Sequence, residues 1–141
     1  MNQHYCCFVL GTQHFIISTD IAFKVLGRTD WVSVPLAPPE VMGLINYRGE
    51  VITIIDIKQL FQLPKTPVPN QQIVLLHDTG QYIGIVVDKV TDIHTLATKQ
   101  LQPPPVDLSP SLRPYIKQVC YVNSQLLLNV DTTSIIHPSE A

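Results

Sequence analysis

Apolar residues in this chain fall into short, largely β-branched runs broken by Gly, Asn, Asp and Pro. That spacing predicts many short strands joined by tight turns. Tyr5 to Leu10 reads as a strand, with Cys6, Phe8 and Leu10 on one face; Gly11-Thr12 turns the chain and Gln13 to Ser18 returns as a second strand. Asp20 to Arg28 holds two patterns. Ile21, Val25 and Leu26 suit a helix, but the β-branched neighbours and Gly27 favour a strand, which is the expectation taken. Trp31 to Leu36 predicts a short strand running into Pro38-Pro39, with one helical turn over Glu40 to Met42.

The stretch Val41 to Leu63 organises the rest. Gly43 to Tyr47 and Val51 to Ile55 are apolar runs separated by Arg48, Gly49 and Glu50, the pattern of a hairpin whose glycine takes a positive φ. Val51 to Ile55 is apolar on both parities, so both of its faces should be covered. Asp56, with Gln59 three residues later, predicts a capped helical turn that Pro64 closes. Leu63 to Asn70 carries Pro64, Pro67 and Pro69 and predicts an extended connection outside any sheet centre.

Beyond it, Gln72 to Leu76 and Gln81 to Val90 read as strands about a His77-Asp78-Thr79-Gly80 turn, and Asp92 to Leu96 as a further strand bending away. Gln102 to Pro114 holds five prolines and predicts a stiff surface loop. Ile116 to Val122 and Gln125 to Val130 form a last hairpin across Asn123-Ser124, and Asp131 caps a final helical turn through Ile136. The order strand, turn, strand, Asp therefore recurs at Gly49 to Asp56, Gly80 to Asp88 and Asn123 to Asp131. Similar hairpin units with frequent turns argue for an all-β fold, barrel or sandwich, since closing a sheet removes its exposed edges.

Composition narrows the class. The 141 residues are enough for one domain with a sizeable core, and 45% hydrophobic against 14% charged content excludes a disordered chain. A net charge of −2 offers no field for a polyanion, so no nucleic-acid partner is expected. No apolar run approaches the roughly 20 residues of a membrane span. Met1 to Gly11 has neither the basic start nor the cleavage site of a secretory signal, so none is expected. Of the three cysteines, Cys6 and Cys7 are adjacent and point to opposite faces of a strand, which disfavours a disulfide between them. Free thiols in a reducing cytosol fit best. The nearest approach to a metal site is His4 with Cys6 on one strand face, but further ligands are lacking, so neither metal nor cofactor is expected.

Candidate chemistry is sparse. Asp78-Thr79-Gly80 resembles the active-site turn of aspartic proteases, where two carboxylates share a proton. The same triplet is good hairpin-turn chemistry, His77 stands where those enzymes carry an apolar residue, and a second triplet is absent, so catalysis would need a homodimer. No glycine-rich phosphate loop follows a strand. Asp56, Asp88 and Asp131 each end a strand and read as caps or turn residues. Arg48 is either a solvated turn residue or a fork of donors held out to a partner.

Two stretches carry a family resemblance. Gly43-Leu44-Ile45-Asn46-Tyr47-Arg48-Gly49-Glu50-Val51 followed by Ile54-Ile55-Asp56-Ile57 closely resembles one signature of CheW-like domains, and Gly84-Ile85-Val86-Val87-Asp88-Lys89-Val90 resembles a second. Length and strand order match across nearly the whole chain. The resemblance implies two intertwined SH3-like five-stranded β-barrels with a few short helical turns. The first barrel is expected over about 13–66, and the second over about 72–136, completed by the first strand, 4–10.

It also implies a non-catalytic adaptor that couples methyl-accepting chemoreceptors to a CheA-type histidine kinase in a bacterial chemosensory array controlling motility. Such an adaptor is cytoplasmic, is associated with membrane-bound receptors without inserting, and has other CheW-like domains as further partners. Carried over by position, Asn46, Arg48, Gly49, Val87, Asp88 and Val90 should lie near the kinase and receptor surfaces, with Phe23 and Val25 beside them. Val25 stands where relatives carry an acidic residue, so a polar kinase contact is not carried over there. A retropepsin-like protease and a β-barrel scaffold unrelated to signalling stay open as alternatives.

Overall fold

The computed structural model describes residues 2–27, 31–65 and 68–136. Its strands are β1 (Asn2–Leu10), β2 (Gln13–Ser18), β3 (Ala22–Gly27), β4 (Val41–Tyr47), β5 (Glu50–Asp56), β6 (Gln72–Asp78), β7 (Gln81–Val87), β8 (Lys89–Ala97), β9 (Ile116–Val122) and β10 (Gln125–Val130). Two short helices, α1 (Ile57–Phe61) and α2 (Thr132–Ile136), follow β5 and β10. The all-β expectation holds, as does the capped turn after Asp56, whose Oδ1 accepts from the Lys58 and Gln59 amides at 3.1 and 3.3 Å. Asp131 accepts from the Thr133 amide at 3.1 Å in the same way.

The strands form two five-stranded sheets, β8-β1-β2-β10-β9 and β3-β6-β7-β5-β4. Both follow one plan: a single parallel pair (β2 with β10, β5 with β7) and antiparallel neighbours elsewhere. The hairpin–helix units β4-β5-α1 and β9-β10-α2 occupy equivalent places. The Gly80 to Asp88 repeat is the odd member, because no helix follows it.

Of the expected division, 13–66 against 72–136 with 4–10, the joining of the first strand to the last three is kept, while β2 and the β6–β7 pair lie in the other sheet from the one expected. Both β1 and β2 lie in the first sheet, the chain then builds the whole second sheet with β3 to β7, and it returns to the first with β8 to β10. A parallel neighbour needs a long crossover. The segment from α1 through the prolines to β6 supplies that crossover between β5 and β7, so it joins strands of one sheet and not two barrels.

Burial explains the doubly apolar strands. A shared core takes Phe8, Phe15 and Ile17 from the first sheet together with Ile55, Val74 and Ile85 from the second. The opposite parities fill separate clusters, with Tyr5, Cys7, Ile16 and Leu127 inside the first sheet and Ile52, Ile54, Ile73 and Leu75 inside the second. On β5, Ile52 and Ile54 enter the second sheet's own core and Ile55 the shared core, while Val51 stays 66% exposed, so the expected cover on both faces holds only toward the Ile55 end.

Four local expectations are corrected. Trp31 to Leu36 is not a strand: it makes one bridge, Val32 with Leu44, and Leu36 turns at φ 60°. Pro35, Pro38 and Pro39 deny this segment the donors a ladder needs. Glu40 to Met42 is not helical, since a turn closed by the Val41 amide on the Pro38 carbonyl (3.0 Å) leads directly into β4. The strand expected over Gln81 to Val90 breaks at Asp88, where the chain changes sheets. The proline-rich loop is more than surface: its Leu112 is buried in the shared core, and Arg113 Nη2 donates to the carbonyls of Pro105, Val106 and Leu108 at 3.1, 2.7 and 3.3 Å. The expected spans that reached Arg28 and Thr66 end outside the described residues.

Gly43 lets the Val32 backbone reach β4: a Cβ there would stand 2.5 Å from the Val32 carbonyl oxygen and 2.6 Å from Trp31 Cδ1. Gly43→Ala should therefore destabilise the fold by about 1–3 kcal/mol through overpacking against backbone. The midpoint of urea unfolding measures it, and an unchanged midpoint would show that the Val32–Leu44 bridge is dispensable.

Candidate partner-binding surface

The β4–β5 turn is a two-residue loop. Tyr47 and Glu50 close the ladder, and Arg48 and Gly49 take φ of 50° and 88°. Positive φ at both central residues is the turn whose twist matches a hairpin. Asn46 is the last polar residue before it, and its Oδ1 accepts from the Gly49 amide at 3.0 Å, so its role is to brace the turn. Arg48 is left exposed, its guanidinium carbon 5.4 Å from the Tyr47 ring centroid, and no carboxylate ion-pairs with it among the described residues.

Around it lies an aromatic patch. Phe23 on β3 meets Tyr47 edge-on at 6.1 Å and Tyr82 at 5.8 Å, and Tyr82 stacks on His77 at 4.2 Å. β3 and β4 are the two edges of the second sheet, so the Phe23–Tyr47 contact spans the gap between them. Phe23 is still 41% exposed and Val25, two residues on, 37%. Exposed aromatic and apolar side chains beside an unpaired arginine are what protein interfaces favour. Phe23, Val25, Asn46, Arg48 and Gly49 thus share the second sheet, and Phe23 meets Arg48 through Tyr47. Tyr82 carried no signal in the sequence, and His77, expected in the turn, lies instead on β6. Reading Thr79-Gly80 as a two-residue loop would have shown them as cross-strand partners.

Val87, Asp88 and Val90 lie apart from that surface. Val87 is buried in the shared core, and the half-buried Val90 donates its amide to Gln72 Oε1 at 2.7 Å. Asp88 is 6% exposed and joins the two sheets. Its Oδ1 pairs with the buried Lys58 Nζ of α1 at 2.7 Å, its Oδ2 accepts from the Gly11 amide of the β1–β2 turn at 2.7 Å, and its own amide donates to the Val9 carbonyl at 3.2 Å. The sequence offered no signal for Lys58, an ordinary-looking lysine on a short helix.

The remaining candidates are placed as follows. Asp78-Thr79-Gly80 forms the β6–β7 turn, and Asp78 Oδ2 accepts from the Thr132 hydroxyl at 3.1 Å. Cys6, Cys7 and Cys120 are buried free thiols. His4 Nδ1 lies 2.8 Å from the Thr95 hydroxyl, so its described hydrogen bond is to that neighbour on β8. Among the described residues no helix is long and apolar enough to cross a membrane.

Comparison with known proteins agrees with this architecture. The model of the CheW-like domain matches residues 4–140. The chemotaxis protein CheW of Rhizobium meliloti is 29% identical over 134 residues, spanning 94% of this chain and 86% of that protein. CheW of Klebsiella aerogenes is 24% identical over 99% of this chain and 85% of its own length. The crystal structure of the scaffolding protein TtCheW from Thermoanaerobacter tengcongensis superposes with a TM-score of 0.84 at 21% identity, covering 93% of this chain and 85% of that one.

Two substitutions check the roles assigned here. Asp88→Ala removes the counter-charge of a buried ammonium, so it should cost about 3–5 kcal/mol, read from chemical denaturation. Stability within 1 kcal/mol of the parent, roughly the level of an exposed pair, would show that the ion pair does not clamp the sheets. Gly49→Val forces a β-branched residue to positive φ and should cost about 1–3 kcal/mol by the same measurement.

Proposed function

The chain belongs to the CheW-like domain family, and on that premise we propose that it is a non-catalytic chemotaxis adaptor. In this reading it couples methyl-accepting chemoreceptors to the regulatory domain of a CheA-type histidine kinase on the cytoplasmic side of a receptor array, and so controls motility. Other CheW-like domains are further partners in such an array.

The observation that carries the reading is Arg48. The two-residue turn fixes its backbone, Tyr47 lies beneath its guanidinium, and among the described residues the fork of donors is left without a carboxylate beside a half-exposed aromatic patch. A fork held in this way loses little conformational freedom when it meets a carboxylate or carbonyl of a partner. Phe23 and Val25 supply apolar area beside it, and no acidic group stands at Val25 to add a charged contact. The Asp78 turn, with its carboxylate bound to Thr132, supports an adaptor over a protease.

Arg48→Ala should melt like the parent chain yet bind a CheA-type kinase more weakly by about 2 kcal/mol or more, as a truncated interface anchor does. Arg48→Lys should recover little of the loss, since an ammonium cannot reproduce the planar fork. Titration calorimetry beside thermal melts separates binding from folding. Equal affinity in a normally melting Arg48→Ala chain would remove Arg48 from the interface.

A further inference from the structure

Register in the first sheet brings together side chains that lie far apart in sequence. Cys7 of β1 pairs directly with Asp92 of β8, and His94, two residues on, shares the Asp92 face. On the other side Cys7 pairs with Ile16 of β2, and His14, two residues before it, lies on that same face. The donor atoms of Cys7, Asp92 and His94 all fall within 4.8 Å of one another, and His94 Nε2 is 3.4 Å from Asp92 Oδ1. They line a cavity of about 250 Å³ that His14 also lines.

We propose that Cys7 Sγ, an Asp92 carboxylate oxygen and a His94 ring nitrogen form a binding site for a zinc-class divalent transition-metal ion. Zinc draws sulfur to about 2.3 Å and nitrogen or oxygen to about 2.0–2.2 Å, which in a tetrahedron sets donors about 3.3–3.6 Å apart. The His94–Asp92 separation already has that value, and the sulfur lies within 4.8 Å of both donors, so the ion would draw it closer. One thiolate, one imidazole and one carboxylate are a borderline donor set, which selects zinc-like ions over magnesium or calcium. The fourth position opens into the cavity, where water or His14 completes the sphere.

The surroundings of the thiol agree with this. Cys7 is 2% exposed, yet its thiol faces the Asp92 carboxylate and the His94 backbone, with a long contact of 3.9 Å to the Tyr5 carbonyl besides. Burial first, and then the Asp92 charge, push the thiol up to about 12, a deprotonation cost that ion binding has to offset. A buried sulfur beside an anion gains from a cation between them, and the thiol proton passes to solvent as the ion binds. β8 is an edge strand, held in its sheet by β1 alone. An ion shared by Cys7 and the β8 pair would staple that edge to the barrel.

The test uses the full chain without an affinity tag, stripped of metal with a chelator, and Co²⁺ as the probe. One equivalent should produce a thiolate-to-cobalt charge-transfer band that Zn²⁺ bleaches, and Zn²⁺ alone should raise the melting temperature with concentration. His94→Ala and Asp92→Asn alter partly or fully exposed positions and should leave the metal-free melt unchanged while each weakens Co²⁺ binding about tenfold or more. Cys7→Ser should abolish the band. Absence of the band at one equivalent, or a band of unchanged affinity in either His94→Ala or Asp92→Asn, overturns the site even if Cys7→Ser fails to fold.

Discussion

Asp88 stands where the chain leaves one sheet for the other, and the relation of the sheets depends on its buried carboxylate. One oxygen binds Lys58 on the helix after β5, and the other binds the Gly11 amide in the β1–β2 turn. Burying two charges is costly, and the cost is offset only when the geometry is close and the remaining lone pairs are used. Here the ion pair is close, at 2.7 Å, and Oδ2 takes the Gly11 amide, while Oδ1 has the Lys58 ammonium beside it but no hydrogen bond of good geometry. The pair therefore fixes which end of α1 meets which turn, a directional restraint that the apolar core around Phe8, Phe15 and Ile85 cannot supply by itself.

With the sheets locked, the surfaces divide the work. The inter-sheet junction holds Val87 and Asp88 inside, while the far part of the second sheet leaves Arg48, Phe23 and Val25 at the surface. Phe23 both reaches across to Tyr47 and keeps part of its ring exposed, so closing the sheet and presenting an apolar surface fall to one side chain. In the first sheet the buried Cys7 thiol instead lies under the exposed Asp92 and half-buried His94 of the edge strand β8. The two halves share a plan of strands and diverge in the side chains at their open ends.

Much of this was legible without coordinates, for physical reasons that can be named. The Arg48-Gly49 turn, the Asp56 cap, the Asn123-Ser124 hairpin and the short helix after Asp131 all depend on interactions between near neighbours. Local preference decides such features. Apolar residues on both parities of β5 likewise required cover on both faces, because a strand exposes one side chain to each face in turn. Where local preference and tertiary pairing disagreed, pairing won. Trp31 to Leu36 has strand-like composition but found only one bridge, and Gln81 to Val90 reads as one strand but breaks at Asp88.

By itself, then, the sequence determined the class of fold, the positions of its tight turns and the family to which it belongs. These follow from side-chain periodicity and from backbone choices made within a few residues. Only the tertiary structure decided that β2 pairs with β10, that Asp88 faces Lys58 and Gly11, and that Cys7 meets Asp92 and His94. Each of these joins residues dozens of positions apart through strand register. Register is set by the summed burial of whole sheets, which no local stretch of residues records.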